Sequence, residues 1–280
     1  PDEAIDPLTT GEGLLIMGHI LIQNLRKSYP NRRLGRRGAS DPYDPGGLMH
    51  ILDIPHLEFQ ENEMVCLLGP SGCGKSTLLH IIAGFDQHIS GQVIIDGQMV
   101  TGPSSDHIFV FQHSGLLPWM TVWQNVELGI RQLKDAKARQ EKIQEYIDMV
   151  DLTSFEQHYP YQLSGGMQRR AELARALVAS PDVLIMDEPF NGLDFLTQMK
   201  IREEIVNMHE LFRKTTLVVT HDVDDALLMG DRIVVLGGRP AQVIFNRHLE
   251  FSRPRDPQKN TALGDLRDEL FLMLGVSYAI

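Results

Sequence analysis

Three continuous apolar runs stand out along a chain that is otherwise amphipathic. Met64-Val65-Cys66-Leu67-Leu68, Val183-Leu184-Ile185-Met186 and Thr216-Leu217-Val218-Val219-Thr220 contain no charged residue. A strand buried on both faces reads this way, and such strands belong to a parallel sheet covered by helices. Elsewhere the period changes to that of a helix. Ile143, Tyr146, Ile147 and Val150 share one face, as do Met167, Ala171, Ala174 and Val178, and again Ile201, Ile205, Met208 and Phe212. Ser76 to Ala83 predicts a helix directly after the first run, with Gly84 as its C-terminal cap. Ile20 to Phe59 and Gly91 to Phe111 predict a small antiparallel β-region, and about His113 to Ala174 a helical insertion into the core. Residues 1–17 predict a disordered or trimmed start, 18–246 the main domain, and 247–280 a polar tail. In that tail Leu266, Leu270, Leu272 and Leu274 mark a last helix.

Chemistry gathers where the apolar runs end. Gly69-Pro70-Ser71-Gly72-Cys73-Gly74-Lys75-Ser76-Thr77 fits G-x-x-x-x-G-K-[ST], with the strand before it and the helix after it that this pattern requires. Its glycines let backbone N–H groups turn toward a polyphosphate, and the positive end of the helix faces the same anion. Lys75 would bridge the terminal phosphates and the Ser76 hydroxyl would ligate Mg²⁺. The second run ends in Asp187 and Glu188, where Pro189 argues against an ordinary acidic helix start. Ligands of parallel sheets bind beyond the carboxyl ends of the strands, so Asp187 is expected to hold Mg²⁺ through water. Glu188 is expected to orient and polarise an attacking water. The third run delivers His221 to the same edge, as a γ-phosphate contact. Ser164-Gly165-Gly166 opens a second helix with exposed N–H groups, another anion cradle. One nucleotide does not need two cradles within one chain. Two chains do, if each lends its Ser-Gly-Gly end to the other.

With Gln112 in Val110-Phe111-Gln112, Asn191-Gly192-Leu193-Asp194 and Thr220-His221-Asp222, the sequence resembles the ATP-binding-cassette (ABC) ATPases from about Ile20 to about Phe245. The resemblance implies an α/β P-loop NTPase: a RecA-like core, an antiparallel β-subdomain and an inserted helical subdomain. It implies ATP and Mg²⁺ as ligands, and hydrolysis by Glu188, His221 and Gln112. Residues Gly69 to Thr77 would bind the ATP of their own protomer. Ser76, Gln112 and Asp187 would serve the metal, while Ser164, Gly165, Gly166 and Gln168 would complete the partner's site. Asp194 falls in the loop that crosses between protomers, although Asn191-Gly192 departs from the usual small residues there. Tyr29 is the expected adenine-stacking aromatic. Tyr43 is held in reserve, because an Arg-, Gly- and Pro-rich insertion from Asn31 to Gly47 intervenes. We read that insertion as a surface loop.

Leu116-Leu117-Pro118-Trp119-Met120-Thr121-Val122, Tyr159-Pro160 and Arg253-Pro254-Arg255 resemble ATPase subunits of the nitrate, taurine, sulfonate and bicarbonate importer group. That likeness implies a second ATPase subunit and two membrane permease subunits, contacted around Leu116–Val126. It also implies a solute-binding protein acting through the permease, and a peripheral place on the cytoplasmic face of the inner membrane. The alternative is a soluble ABC ATPase with an assembly or regulatory role and no permease.

Composition narrows the field further. A chain of 280 residues with 42% hydrophobic content is suited to one sizeable α/β core. No apolar run reaches the ~20 residues that span a bilayer. A formal net charge of −11 argues against a general nucleic-acid surface. The two cysteines, Cys66 and Cys73, sit in a buried strand and in the phosphate loop with no reason to pair, which fits a reducing cytoplasm.

Overall fold

The computed structural model describes residues 17–30, 48–87, 90–112 and 114–275. The insertion from Asn31 to Gly47, with Tyr43, and the chain before Met17 lie outside the described residues. In chain order the elements are strands β1 (Ile20–Pro30), β2 (Leu48–Phe59) and β3 (Met64–Leu68), then helix α1 (Lys75–Ile82). Strands β4 (Ser90–Ile95), β5 (Gln98–Met99) and β6 (His107–Val110) follow, then helices α2 (Val122–Glu127), α3 (Ala136–Met149) and α4 (Gly165–Val178). Strand β7 (Val183–Asp187), helix α5 (Phe195–Phe212), strand β8 (Thr215–Val219) and helix α6 (Val223–Met229) continue the chain. Strands β9 (Arg232–Gly237) and β10 (Gln242–His248) and helix α7 (Thr261–Met273) complete it.

The strands form two sheets. One has four antiparallel strands in the order β2-β1-β4-β5; the other has six in the order β10-β9-β3-β8-β7-β6. In the larger sheet β9, β3, β8, β7 and β6 run parallel, and β10 pairs antiparallel at one edge. Every residue of β3, β7 and β8 is buried, as their unbroken apolar runs predict.

The two-residue period of a strand sorts these side chains between two cores. Met64, Cys66, Leu68, Leu184, Met186, Val218, Ile233 and Val235 join one cluster with residues of α2 to α7. Val65, Leu67, Val183, Ile185, Leu217, Val219, Val234 and Leu236 join another with α1 and the antiparallel sheet. The main sheet is therefore the middle layer, with helices on one face and α1 plus the small sheet on the other.

Two expectations shift. His107–Val110 does not belong to the antiparallel region; it pairs parallel with β7 at the edge of the core sheet, from His107 opposite Val183 to Val110 opposite Met186. The short β5 already ends the antiparallel sheet, so the chain after it is free to rejoin the core. Asp187 lies inside β7, as its last residue, rather than beyond the strand.

In α7, Leu263, Leu266 and Leu270 are buried, whereas Leu272 is 70% exposed because a helical step of two residues turns it to the opposite side. Leu270→Ala is expected to cost about 2–5 kcal/mol of stability as a core truncation. Leu272→Ala should stay within about 0.5 kcal/mol of the parent. Urea unfolding of both variants checks this, and equal losses would contradict the helix register.

Candidate nucleotide site

Four neighbouring parallel strands bring the candidate residues to one edge. Beyond β3 comes the phosphate loop, beyond β8 His221, at the end of β7 Asp187 and Glu188, and beyond β6 Gln112. Because β3, β8, β7 and β6 are adjacent in the sheet, residues far apart in sequence become neighbours in space.

The phosphate loop takes its shape from glycine. Gly69, Gly72 and Gly74 have φ values of 154°, 74° and 115°, in the region that side chains disfavour. A Cβ on Gly69 would stand 2.6 Å from the Leu236 carbonyl oxygen, and one on Gly74 would stand 2.9 Å from Ile51 and Leu52 carbons. The Cys73 N–H closes the turn on the Pro70 carbonyl at 3.2 Å. Lys75 is buried, with its ammonium donating to the Gly69 and Pro70 carbonyls at 2.7 and 3.1 Å. The ammonium is thus held over the mouth of the loop, where an anion would meet it. Ser71, Gly72 and Ser76 are exposed, and Asp187 is buried.

Glu188 is the centre of the site. Its φ of 47° is left-handed, an unfavourable state for a side chain of this size, and such strain persists only where the surroundings impose it. The Glu188 N–H donates to the Val219 carbonyl at 3.0 Å, which ties it to the end of β8. The carboxylate accepts from the Gln112 amide at 3.2 Å and from the Asn191 amide at 3.2 Å. The His221 ring nitrogen Nδ1 lies 3.8 Å from its other oxygen. Gln112, Glu188 and His221 are therefore brought together. Asn191, treated in the sequence only as a departure in the crossing loop, is the contact that sequence reasoning missed; its place three residues after Glu188 is the available signal.

The second cradle is also formed. Ser164 caps α4, its hydroxyl accepting from the Met167 N–H at 3.3 Å, and Ser164 and Gly165 are exposed. Gln168 is committed elsewhere: its amide donates to the Pro160 and Leu163 carbonyls at 2.9 and 3.3 Å and fixes the turn ahead of the cap. Asp194 caps α5, accepting from the Thr197 N–H at 3.1 Å and the Thr197 hydroxyl at 2.6 Å. Those hydrogen bonds hold its carboxyl below the usual carboxylate range. Phe195 and Leu196 beside it are 69% and 68% exposed. Tyr29 lies next to the end of β1, with its hydroxyl bonded to Asp86 and the Lys27 ammonium 4.5 Å from its ring centre. Burial, then Asp86, pushes its phenol pKa upward.

The donor set fits a nucleotide with Mg²⁺. Among the described residues no group of three His, Cys, Asp or Glu could hold a metal by itself. A hydroxyl at Ser76 and a carboxylate at Asp187 suit a hard cation that takes its other ligands from phosphates and water.

The ABC transporter family model matches residues 52–191. The chain is similar to the nitrate import ATP-binding protein of Synechocystis, with 43% identity over 241 residues that cover 86% of this chain and 85% of that protein. It is 39% identical over 214 residues to the aliphatic sulfonates import ATP-binding protein of Bacillus anthracis, covering 76% of this chain and 84% of that protein. Among solved structures it resembles a dimeric ATP-binding cassette in a post-hydrolysis state bound to ADP and Pi. The TM-score is 0.68 at 32% identity, covering 83% of this chain and all of that one.

The two glycines that open α4, here called the signature helix, differ in the room around them. A Cβ on Gly165 meets only a Leu193 carbon at 3.4 Å, an ordinary contact, whereas one on Gly166 would press to 2.5 Å from a Thr197 carbon. Gly165→Asp is therefore expected to melt close to the parent. Gly166→Asp should lose about 1–3 kcal/mol through overpacking. Thermal melts compare them; equal melting temperatures would contradict the packing of α4 on α5.

Proposed function

The chain belongs to the ABC transporter family, and from that premise we propose that it is the ATP-hydrolysing subunit of an importer for a small anion. Nitrate, bicarbonate and sulfonates such as taurine are the solute types in view. The observation that carries the catalytic part is the carboxylate of Glu188, fixed by Gln112 and Asn191 with His221 beside it. In this reading two chains pair head to tail. Gly69 to Thr77 of one protomer grip the phosphates, and Ser164-Gly165-Gly166 of its partner closes over the γ-phosphate. Ser76, Asp187 and Gln112 would hold Mg²⁺, which supplies charge neutralisation on the phosphate oxygens. Glu188 draws a proton from the attacking water, His221 and Gln112 keep the γ-phosphate side in register, and Tyr29 supports the base. The departing phosphate then releases the partner's cradle, and the pair reopens.

Coupling to a membrane is read from the segment after Gln112. Leu116, Val122 and Val126 are buried, which removes them from any outward surface, but Trp119 is 69% exposed. Asn125 makes that exposure rigid. Its fully buried amide donates to the Leu117, Met120 and Thr121 carbonyls at 3.2, 3.1 and 3.0 Å and accepts from the Leu117 N–H at 2.8 Å. A capping box between Thr121 and Gln124 starts α2 immediately afterwards. A bulky aromatic held outward by a satisfied buried network supports a partner surface. Among the described residues no helix is long and apolar enough to cross a membrane. We assign that partner as a permease contributed by two other chains, with a solute-binding protein beyond it and this chain at the inner membrane's cytoplasmic face. Failure to recover a permease with the purified protein would favour a soluble assembly or regulatory ATPase instead.

Glu188→Gln keeps the shape and removes the base. It should retain ATP binding and lose about 10²–10⁴-fold in turnover. Steady-state hydrolysis and an ATP-binding titration are the test; near-parental turnover removes Glu188 from the role.

Trp119→Ala should leave melting and ATP binding unchanged while costing about 2 kcal/mol or more of permease affinity. Co-purification and a melt separate the alternatives, since a strongly destabilised chain would return Trp119 to the core.

A further inference from the structure

We propose that Arg169 and Glu172 form a buried latch which makes the signature helix and the water-handling residues move as one piece. The proposal rests on the reading of Glu188 and Gln112 given above. Arg169 lies in the first turns of α4, behind the Ser164-Gly165-Gly166 cradle, and both it and Glu172 are buried. The Arg169 Nε donates to the Pro189 carbonyl at 2.9 Å, directly after Glu188. One terminal nitrogen, Nη1, donates to the Phe111 carbonyl at 2.8 Å, directly before Gln112, and to Glu172 at 2.8 Å.

A single guanidinium therefore grips the backbone on the near side of both catalytic side chains. The other end of the Gln112 loop is held from the same helix. Glu172 accepts from the Gly115 N–H, and Arg175 donates to the Gly115 carbonyl at 2.7 Å. Phe111 and Gly115, on either side of Gln112, are thus both anchored on α4. The strained backbone of Glu188 is braced by a third contact from that helix. The helix that would close over a partner's γ-phosphate is in this way the helix that sets Gln112 and Glu188. A planar fork with several fixed donors is needed for this, and a lysine ammonium cannot make all three bonds in that geometry. Arg169 and Glu172 are positioning residues; neither is placed to touch the nucleotide.

The test is turnover against KM in the full chain. Arg169→Lys keeps the buried charge opposite Glu172 and removes the fork. Its kcat should fall about tenfold to a hundredfold, as misplaced catalytic groups do, with KM for ATP within about twofold of the parent. Arg169→Met with Glu172→Leu exchanges the buried pair for apolar groups of similar size, but it takes these partners from the Phe111 and Pro189 carbonyls and the Gly115 N–H, so it should show the same kcat loss with a lowered melting temperature. A kcat equal to the parent's in a folded variant overturns the latch. If the parent itself hydrolyses no ATP, the catalytic reading fails instead, so the two failures are distinct. Should both variants unfold, amide exchange of the Glu188→Gln chain decides. Adding ATP should slow exchange at 111–116 and at 165–172 together, and protection of one segment without the other overturns the proposal.

Discussion

The structure depends first on the parallel pairing of β6, β7, β8 and β3. Parallel strands this apolar are stable only when both faces are covered, and the covering layers here are the helices and the small antiparallel sheet. Once that burial fixes the register, from His107 opposite Val183 to Met64 opposite Thr216, the positions of the strand ends follow. Gln112, Glu188, His221 and Lys75 then face one edge. A one-residue slip would exchange the two cores and is excluded by the packing of both.

The second constraint is the strained turn at Glu188. A left-handed glutamate is unfavourable alone, so its conformation reflects the groups around it: the Val219 carbonyl, Gln112, Asn191, and Arg169 through the Pro189 carbonyl. These come from β8, from the segment after β6, from the loop after β7, and from α4. The site is consequently sensitive to the relative placement of the main sheet and the signature helix. Holding that placement fixed is what would let closure of the cradle on a partner's nucleotide set Gln112 and Glu188 together.

Much of this was legible in the residues. Continuous apolar runs marked β3, β7 and β8, and the glycine spacing marked the phosphate loop, because both are local patterns with a direct physical cause. Helical periodicity located α5 and the buried face of α7, but the reading included Leu272, since apolar identity does not by itself decide which side of a helix is covered. The short β6 joins the core sheet and not the antiparallel one that the sequence predicts, because four residues carry no period that distinguishes an edge strand of one sheet from another. The residue types at Asn191 and Arg169 do not by themselves disclose the bonds these side chains make. Asn191 reaches Glu188 only three positions away, a spacing that signals the bond once the turn at Glu188 is known, whereas Arg169 reaches across from α4 to Phe111 and Pro189, and no local pattern encodes such a bond. The apolar identity of Trp119 does not by itself decide between core and surface; the side chain is exposed, and the buried Asn125 holds its loop.

The claim on which the account turns is that each nucleotide site is shared between two chains. It is tested most directly by mixing two differently tagged variants in the Glu188→Gln background. One carries Lys75→Ala, with a defective phosphate loop and an intact cradle; the other carries Gly165→Asp, with the reverse. Neither should self-associate with ATP, whereas the mixture should form one complete site per pair. The account predicts ATP-dependent capture of one tag by the other. Absence of mixed capture, with both variants folded and Gly165→Asp still binding ATP, would contradict it.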